Sequence, residues 1–285
     1  MLSIQGLSKT YPNGIQALND ISLEIGPGIF GLLGPNGAGK SSLMRTLATL
    51  QDADSGRVVL DGIDLRQHPQ QARKILGYLP QSFGVYPQIS AFEFLEQLAV
   101  FKGFMKTRVR KDVVEEQLNL VNLYAQRHQK LGTFSGGMRQ RFGIAQALLG
   151  SPRLVIVDEP MAGLDPAERI RFQNLLAKIS QDRVLLLSTH IVEDVAELCP
   201  EMAILNRGSL VKNGSPQGMI ADLKGRVWMH LGTLSTDAEQ ADLTVITSRM
   251  VRGNYAVRVL CDRKPGDNFQ PVEPDLNDVY FAALL

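Results

Sequence analysis

Over the first thirty residues, apolar and polar positions alternate. Residues 3–7 and 17–25 follow a period of two, and Pro12, Asn13 and Gly14 lie between them, so two strands joined by a turn are predicted. Residues 29–33 form an unbroken apolar run, the pattern of a strand buried on both faces. Beyond a Gly-rich loop, Leu43, Leu47 and Leu50 recur at helical spacing, predicting a helix over 40–50. Residues 56–65 read as a hairpin that turns at Asp61 and Gly62.

The pattern then shifts to a period of 3.6. Residues 91–101, 109–121 and 135–149 predict three helices inside a helical block spanning about 85–150, the third with Gly136 and Gly137 in its first turn. Apolar strands return at 154–157 and 184–188, with a helix over 166–179 between them, a βαβ arrangement. A hairpin over 203–211 turns at Arg207 and Gly208. After residue 225 come three short strands (227–231, 243–247, 255–260), a turn-rich stretch (265–274) and a last helix over 275–285. A boundary near 220 divides residues 1–219 from an α+β extension, 220–285, and the first part is expected to fold and bind its ligand alone.

Composition narrows the function classes. The chain has 285 residues, 44% hydrophobic and 21% charged, enough apolar material for two domains. Thirty Lys and Arg against 29 Asp and Glu leave a net charge of +1, which argues against a nucleic-acid partner held by bulk charge. Cys199 and Cys261 fit no metal or disulfide spacing. No apolar run approaches the ~18–20 residues of a bilayer span. The first residues lack the basic and apolar regions of a secretory signal, so a cytoplasmic location is expected.

Three segments carry candidate chemistry. Gly34, Pro35, Asn36, Gly37, Ala38, Gly39, Lys40 and Ser41, followed by Ser42, fit GxxxxGK[ST] between a buried strand and a helix. Such glycines let backbone N–H groups turn around phosphate oxygens, and the helix N-terminus adds its positive dipole end. Lys40 is placed for the β- and γ-phosphates and the Ser41 hydroxyl for Mg²⁺. The strand at 154–157 runs into Asp158, suited to Mg²⁺, and Glu159, suited to act as general base toward the attacking water. Ser135, Gly136 and Gly137 place an N-cap hydroxyl before two helix-weakening glycines, a pattern that suits a second anion site.

Taken in order, these motifs over about residues 1–215 resemble the ATP-binding cassette family, the nucleotide-binding subunits of ABC transporters. The resemblance implies a P-loop NTPase core of RecA-like type, α/β in class, with an N-terminal antiparallel β-subdomain and an inserted helical subdomain. It implies that Gly34–Ser42 and Tyr11 hold ATP with Mg²⁺, with Tyr11 stacked on adenine, and that Gln81 matches the Q-loop, near the metal. It makes Ser135–Gly137 the signature that meets a second subunit's ATP, Asp165 the D-loop acid and His190 the switch histidine, with Glu159, His190, Gln81 and Lys40 serving hydrolysis. The usual Leu and Gln flanking the signature core are Phe134 and Met138 here. Implied partners are integral-membrane permease subunits and a second ATPase subunit, as homodimer or heterodimer, on the cytoplasmic face of the membrane. A permease helix would be received near residues 82–90, with Phe83, Val85 and Tyr86 as apolar lining. The segment from Glu273 to Phe281 resembles the ending of ATPases serving ABC-2-type exporters. An importer ATPase and a soluble, non-transport ABC ATPase are the alternatives.

Overall fold

The computed structural model describes residues 1–232, 243–251 and 253–285. β1 (Leu2–Thr10) and β2 (Gln16–Ile25) pair antiparallel, and β3 (Gly28–Leu33) leads through the Gly-rich loop into α1 (Lys40–Leu47). β4 (Ser55–Leu60) and β5 (Ile63–Asp64) follow, then α2 (Pro69–Lys74) and β6 (Leu76–Leu79). The helical block consists of α3 (Ala91–Phe101), α4 (Thr107–Leu120) and α5 (Gly136–Leu148). After it come β7 (Leu154–Asp158), α6 (Pro166–Ile179), β8 (Val184–Thr189) and α7 (Val192–Leu198). The chain continues through β9 (Glu201–Asn206), β10 (Ser209–Gly214), α8 (Pro216–Ala221), β11 (Val227–Leu231), β12 (Thr244–Val251), β13 (Asn254–Leu260), β14 (Phe269–Pro271) and α9 (Leu276–Leu284).

The central sheet has the order β10-β9-β3-β8-β7-β6, parallel except for the outer hairpin of β9 and β10. Side chains along a strand alternate between faces, and here the two faces feed two different cores. Phe30, Leu32, Ile156 and Leu186 point into a core shared with α1 and the N-terminal sheet, of order β2-β1-β4-β5. Leu33, Val155, Val157, Leu185 and Leu187 point into the core that takes in the helical block and α6. That is why 154–157 and 184–187 are apolar at every position.

Local chemistry sets several boundaries. Ser90 and Glu93 close a capping box on α3, and Asp165 caps α6 with Pro166 in its first turn. α1 stops at Leu47, short of the expected residue 50, and Thr49 there takes the left-handed φ of 57°. The pattern predicts neither α2, α7 and α8 nor the short strands β6 and β14. β6 is four residues long and includes Gly77, where a Cβ would meet the Ala147 carbonyl at 2.0 Å. The close approach of α5 therefore requires glycine in a strand that composition would not favour.

The extension forms a sheet of order β12-β13-β11-β14. α9 is tied to it by the Arg258–Asp278 ion pair, 2.5 Å long, whose carboxylate is buried. Leu276, Val279 and Tyr280 of α9 belong to the same continuous core as Val192, Val195 and Ile204. Apolar packing thus runs across residue 220.

Candidate nucleotide site

The C-terminal ends of β3, β6, β7 and β8 open on one edge of the central sheet, the edge at which parallel α/β sheets bind ligands. The loop from Gly34 to Gly39 crosses that edge. Gly37 and Gly39 adopt φ of 81° and 106°, and a Cβ on Gly34 or Gly39 would meet the Leu205 or Ala17 carbonyl at 2.4 or 2.3 Å. The Gly208 N–H donates to the Ala38 carbonyl at 2.9 Å, so the β9–β10 turn holds the loop from outside. α1 starts without a side-chain cap, leaving its first N–H groups to face the loop's concave side.

Lys40 is 5% exposed, and its Nζ donates to the Gly34 carbonyl at 2.6 Å and the Pro35 carbonyl at 3.1 Å. Burial pulls its ammonium below the usual lysine range, against the opposing pull of Glu159 and Asp158. Ser41 is exposed at the helix start. The Tyr11 hydroxyl joins Ser42 Oγ at 3.0 Å and donates to Gln51 Oε1 at 3.1 Å, which fixes the ring beside α1.

Asp158 is buried at the end of β7, where the Ser188 hydroxyl of the neighbouring strand donates to its carboxylate. Glu159 follows with a left-handed φ of 46°, a conformation that costs a non-Gly residue on the order of 1–2 kcal/mol. Its N–H donates to the Ser188 carbonyl at 3.1 Å, which helps hold the turn. The turn directs the Glu159 carboxylate between two other sequence candidates. Gln81 Nε2 donates to Oε2 at 2.9 Å, and His190 Nδ1 lies 3.0 Å from Oε1. Gln81, Glu159 and His190 thus converge from loops after β6, β7 and β8. A carboxylate held from both sides, at the edge where Lys40 is buried, has the form of an oriented general base.

The Ser135 corner is built separately. Ser135 Oγ accepts from Met138 N at 3.2 Å, and Ser135 and Gly136 are exposed. Gly137 is buried, and a Cβ there would meet Glu168 Oε2 at 2.4 Å, whereas nothing lies within 4 Å at Gly136. The two glycines therefore have different reasons: Gly137 makes room for α6, and Gly136 leaves bare backbone toward solvent. Among the described residues, no hydrogen bond joins this corner to the phosphate loop. Phe134 is 4% exposed and meets Phe142 edge-on, so the departure from the usual Leu is a change in core packing. Asp165 Oδ1 accepts from Glu168 N at 2.9 Å, and the residue is exposed at the head of α6.

Ser188 and Gln51 also touch the candidate residues, Ser188 through Asp158 and Gln51 through Tyr11, and no motif marks either of them. Ser188 had a signal: it is the polar residue closing an apolar strand that neighbours the strand ending in Asp158. Phe83 and Val85 pack against the core, while Tyr86 is 64% exposed and meets Phe94 edge-on.

The sequence profile of the family described as ABC transporter matches residues 18–162, just over half of the chain. An uncharacterized ABC transporter ATP-binding protein of Bacillus subtilis is 34% identical over 236 residues, 82% of this chain and 76% of that protein. The chain belongs to the ABC transporter family. As one of the ATP-binding proteins of that family it is an ATPase, and the nucleotide it binds is ATP. The Nod factor export ATP-binding protein I of Rhizobium etli is 32% identical, covering 79% of this chain and 71% of its own length. A probable multidrug ABC transporter ATP-binding protein of Escherichia coli is 28% identical over 97% of this chain, which spans about half of that relative. Among solved structures, an ATP-binding cassette in a dimeric, post-hydrolysis state with ADP and Pi aligns with a TM-score of 0.68 and 26% identity. The match covers 75% of this chain and 98% of that one. Among the described residues, no helix is long and apolar enough to cross a membrane.

Proposed function

We propose that the chain powers an ABC-2-type exporter from the cytoplasmic face of the membrane, as one of two ATPase subunits that close head to tail on ATP. The observation that carries the reading is the meeting of Gln81, Glu159 and His190 at the phosphate-loop edge, while Ser135 and Gly136 stand exposed on another part of the chain. A hydrolytic cluster with a separate, outward-facing anion corner suits a site completed by a second subunit. Residues 1–219 form the cassette in this reading and 220–285 an accessory extension. Tyr11 stacks on the adenine, and the backbone from Gly34 to Ser42 cradles the phosphates. Glu159 takes the proton from the attacking water, with Gln81 and His190 holding its carboxylate in place. Ser135–Gly137 and Asp165 face the partner subunit's nucleotide.

The donor set fits Mg²⁺. Asp158 offers a buried carboxylate already oriented by Ser188, Ser41 an exposed hydroxyl and Gln81 an amide, all oxygen donors of the hard kind this ion takes. Among the described residues no cluster of three His, Cys, Asp or Glu could bind a metal alone, so ATP phosphates complete the set. When bound, the ion neutralises charge on the phosphates.

The export direction is supported by the name of the Rhizobium relative, an export ATP-binding protein, and by that of the Escherichia relative, a probable multidrug transporter ATP-binding protein whose match covers 97% of this chain. In this reading a permease helix docks in a cleft of about 540 Å³ where Leu98 and Phe101 of α3, with Lys102 just past its end, approach Arg73 and Tyr78, a place other than the groove expected at residues 82–90. Phe101 is 86% exposed there. The test is to capture tagged Glu159→Gln protein with ATP from detergent-solubilised membranes and identify the co-purifying chains. An ABC-2-type permease supports the reading. A permease of a binding-protein-dependent importer would overturn the direction, and ribosomes or DNA with no permease would overturn the transport role.

A further inference from the structure

Glu168 and Arg169, in the first turn of α6, reach in opposite directions. Glu168 fills the space over Gly137 and pairs with Arg141 of α5 at 3.5 Å. Arg169 donates to Asp194, a carboxylate only 1% exposed on α7. Asp194 also accepts from the Thr189 hydroxyl at 3.1 Å, and Thr189 Oγ1 accepts from the Ile191 N–H at 3.0 Å. Thr189 and Ile191 flank His190. The Arg169 N–H donates to the Asp165 carbonyl at 2.9 Å, which ties the same turn to the D-loop acid.

We infer that Asp194, with Arg169, is a positioning pair for ATP hydrolysis, holding the His190 turn in register with the D-loop and with the Ser135–Gly137 corner through the first turn of α6. The inference rests on the reading of His190 as the partner of Glu159. A carboxylate this buried is costly unless fully paired, and burial raises its pKa against the lowering pull of Arg169. Its partners account for that cost by fixing the residues on both sides of His190. A shift of α6 when the exposed Ser135–Gly136 backbone meets a partner subunit's nucleotide would then reach the Glu159 carboxylate through contacts that are already made.

The test measures kcat, KM and ATP affinity for Asp194→Asn and Arg169→Gln, each alone and combined with His190→Ala. Each single variant should lower kcat by roughly 10- to 100-fold, the loss a displaced catalytic group brings, with KM within about twofold. In the His190→Ala background either substitution should add less than about twofold, because the group it positions is gone. Arg169→Lys, which keeps the charge, should recover part of the rate. If Asp194→Asn does not fold, Arg169→Gln carries the same cycle from the part-exposed partner. Wild-type kcat in the single variants, or the same fold-loss with and without His190, would overturn the inference. His190→Ala hydrolysing at the wild-type rate would instead remove the His190 reading on which it stands.

Discussion

His190 Nδ1 lies 3.0 Å from Glu159 Oε1, although the residues are 31 positions apart. β7 and β8 are adjacent and parallel, with Asp158 opposite Ser188, so the residues just past the two strands meet. The contact makes Glu159 the most informative position to change. Glu159→Gln keeps the shape but cannot take a proton from water. Hydrolysis should fall by at least ~10²-fold with ATP binding retained. The variant should accumulate as an ATP-bound dimer, read by size-exclusion chromatography with light scattering. Phosphate release at the wild-type rate would remove Glu159 from the base role.

Lys40→Ala removes a buried cation and two bonds to the loop's own carbonyls. Charged hydrogen bonds contribute about 1.5–3 kcal/mol each, so ATP affinity should fall by roughly tenfold or more. Calorimetry measures this directly, and unchanged affinity would sink the phosphate assignment.

The paired glycines should separate experimentally. Gly137→Ala drives a Cβ into Glu168 and should cost about 1–3 kcal/mol in denaturant unfolding. Gly136→Ala meets nothing and should stabilise the monomer by up to about 1 kcal/mol through helix propensity. The same change should weaken ATP-driven dimerisation of Glu159→Gln protein. A Gly136→Ala variant that dimerises normally would argue that its bare backbone faces no nucleotide.

Deleting residues 276–285 should uncover the α7 face that Leu276, Val279 and Tyr280 cover. Burying one such side chain stabilises by about 1.5–3 kcal/mol, so the thermal midpoint should drop by several degrees or more. ATP affinity below that midpoint should persist, because the nucleotide motifs all precede residue 191. A midpoint unchanged by the deletion would show that α9 adds nothing to the cassette's stability.

Residue order alone determined the phosphate loop, the acid pair after β7 and the Ser-Gly-Gly helix start. Each is a local event: a strand, a turn and a helix written in consecutive residues, with glycine or carboxylate where the backbone or the ligand requires it. The same local logic determined α3, α5 and α6, whose caps Ser90, Ser135 and Asp165 sit one residue before the first helical turn. Tertiary structure alone decided which of these segments meet. Nothing in the pattern ranks β6 beside β7, because β6 is only four residues long and includes Gly77, yet that neighbour places Gln81 against Glu159. Gly137 has its reason in Glu168, and Asp194 in Arg169 and Thr189, partners 31, 25 and 5 positions away. The apolar seam across residue 220 is likewise invisible to periodicity. Periodicity records which face of an element is buried, and only the packed fold records what buries it.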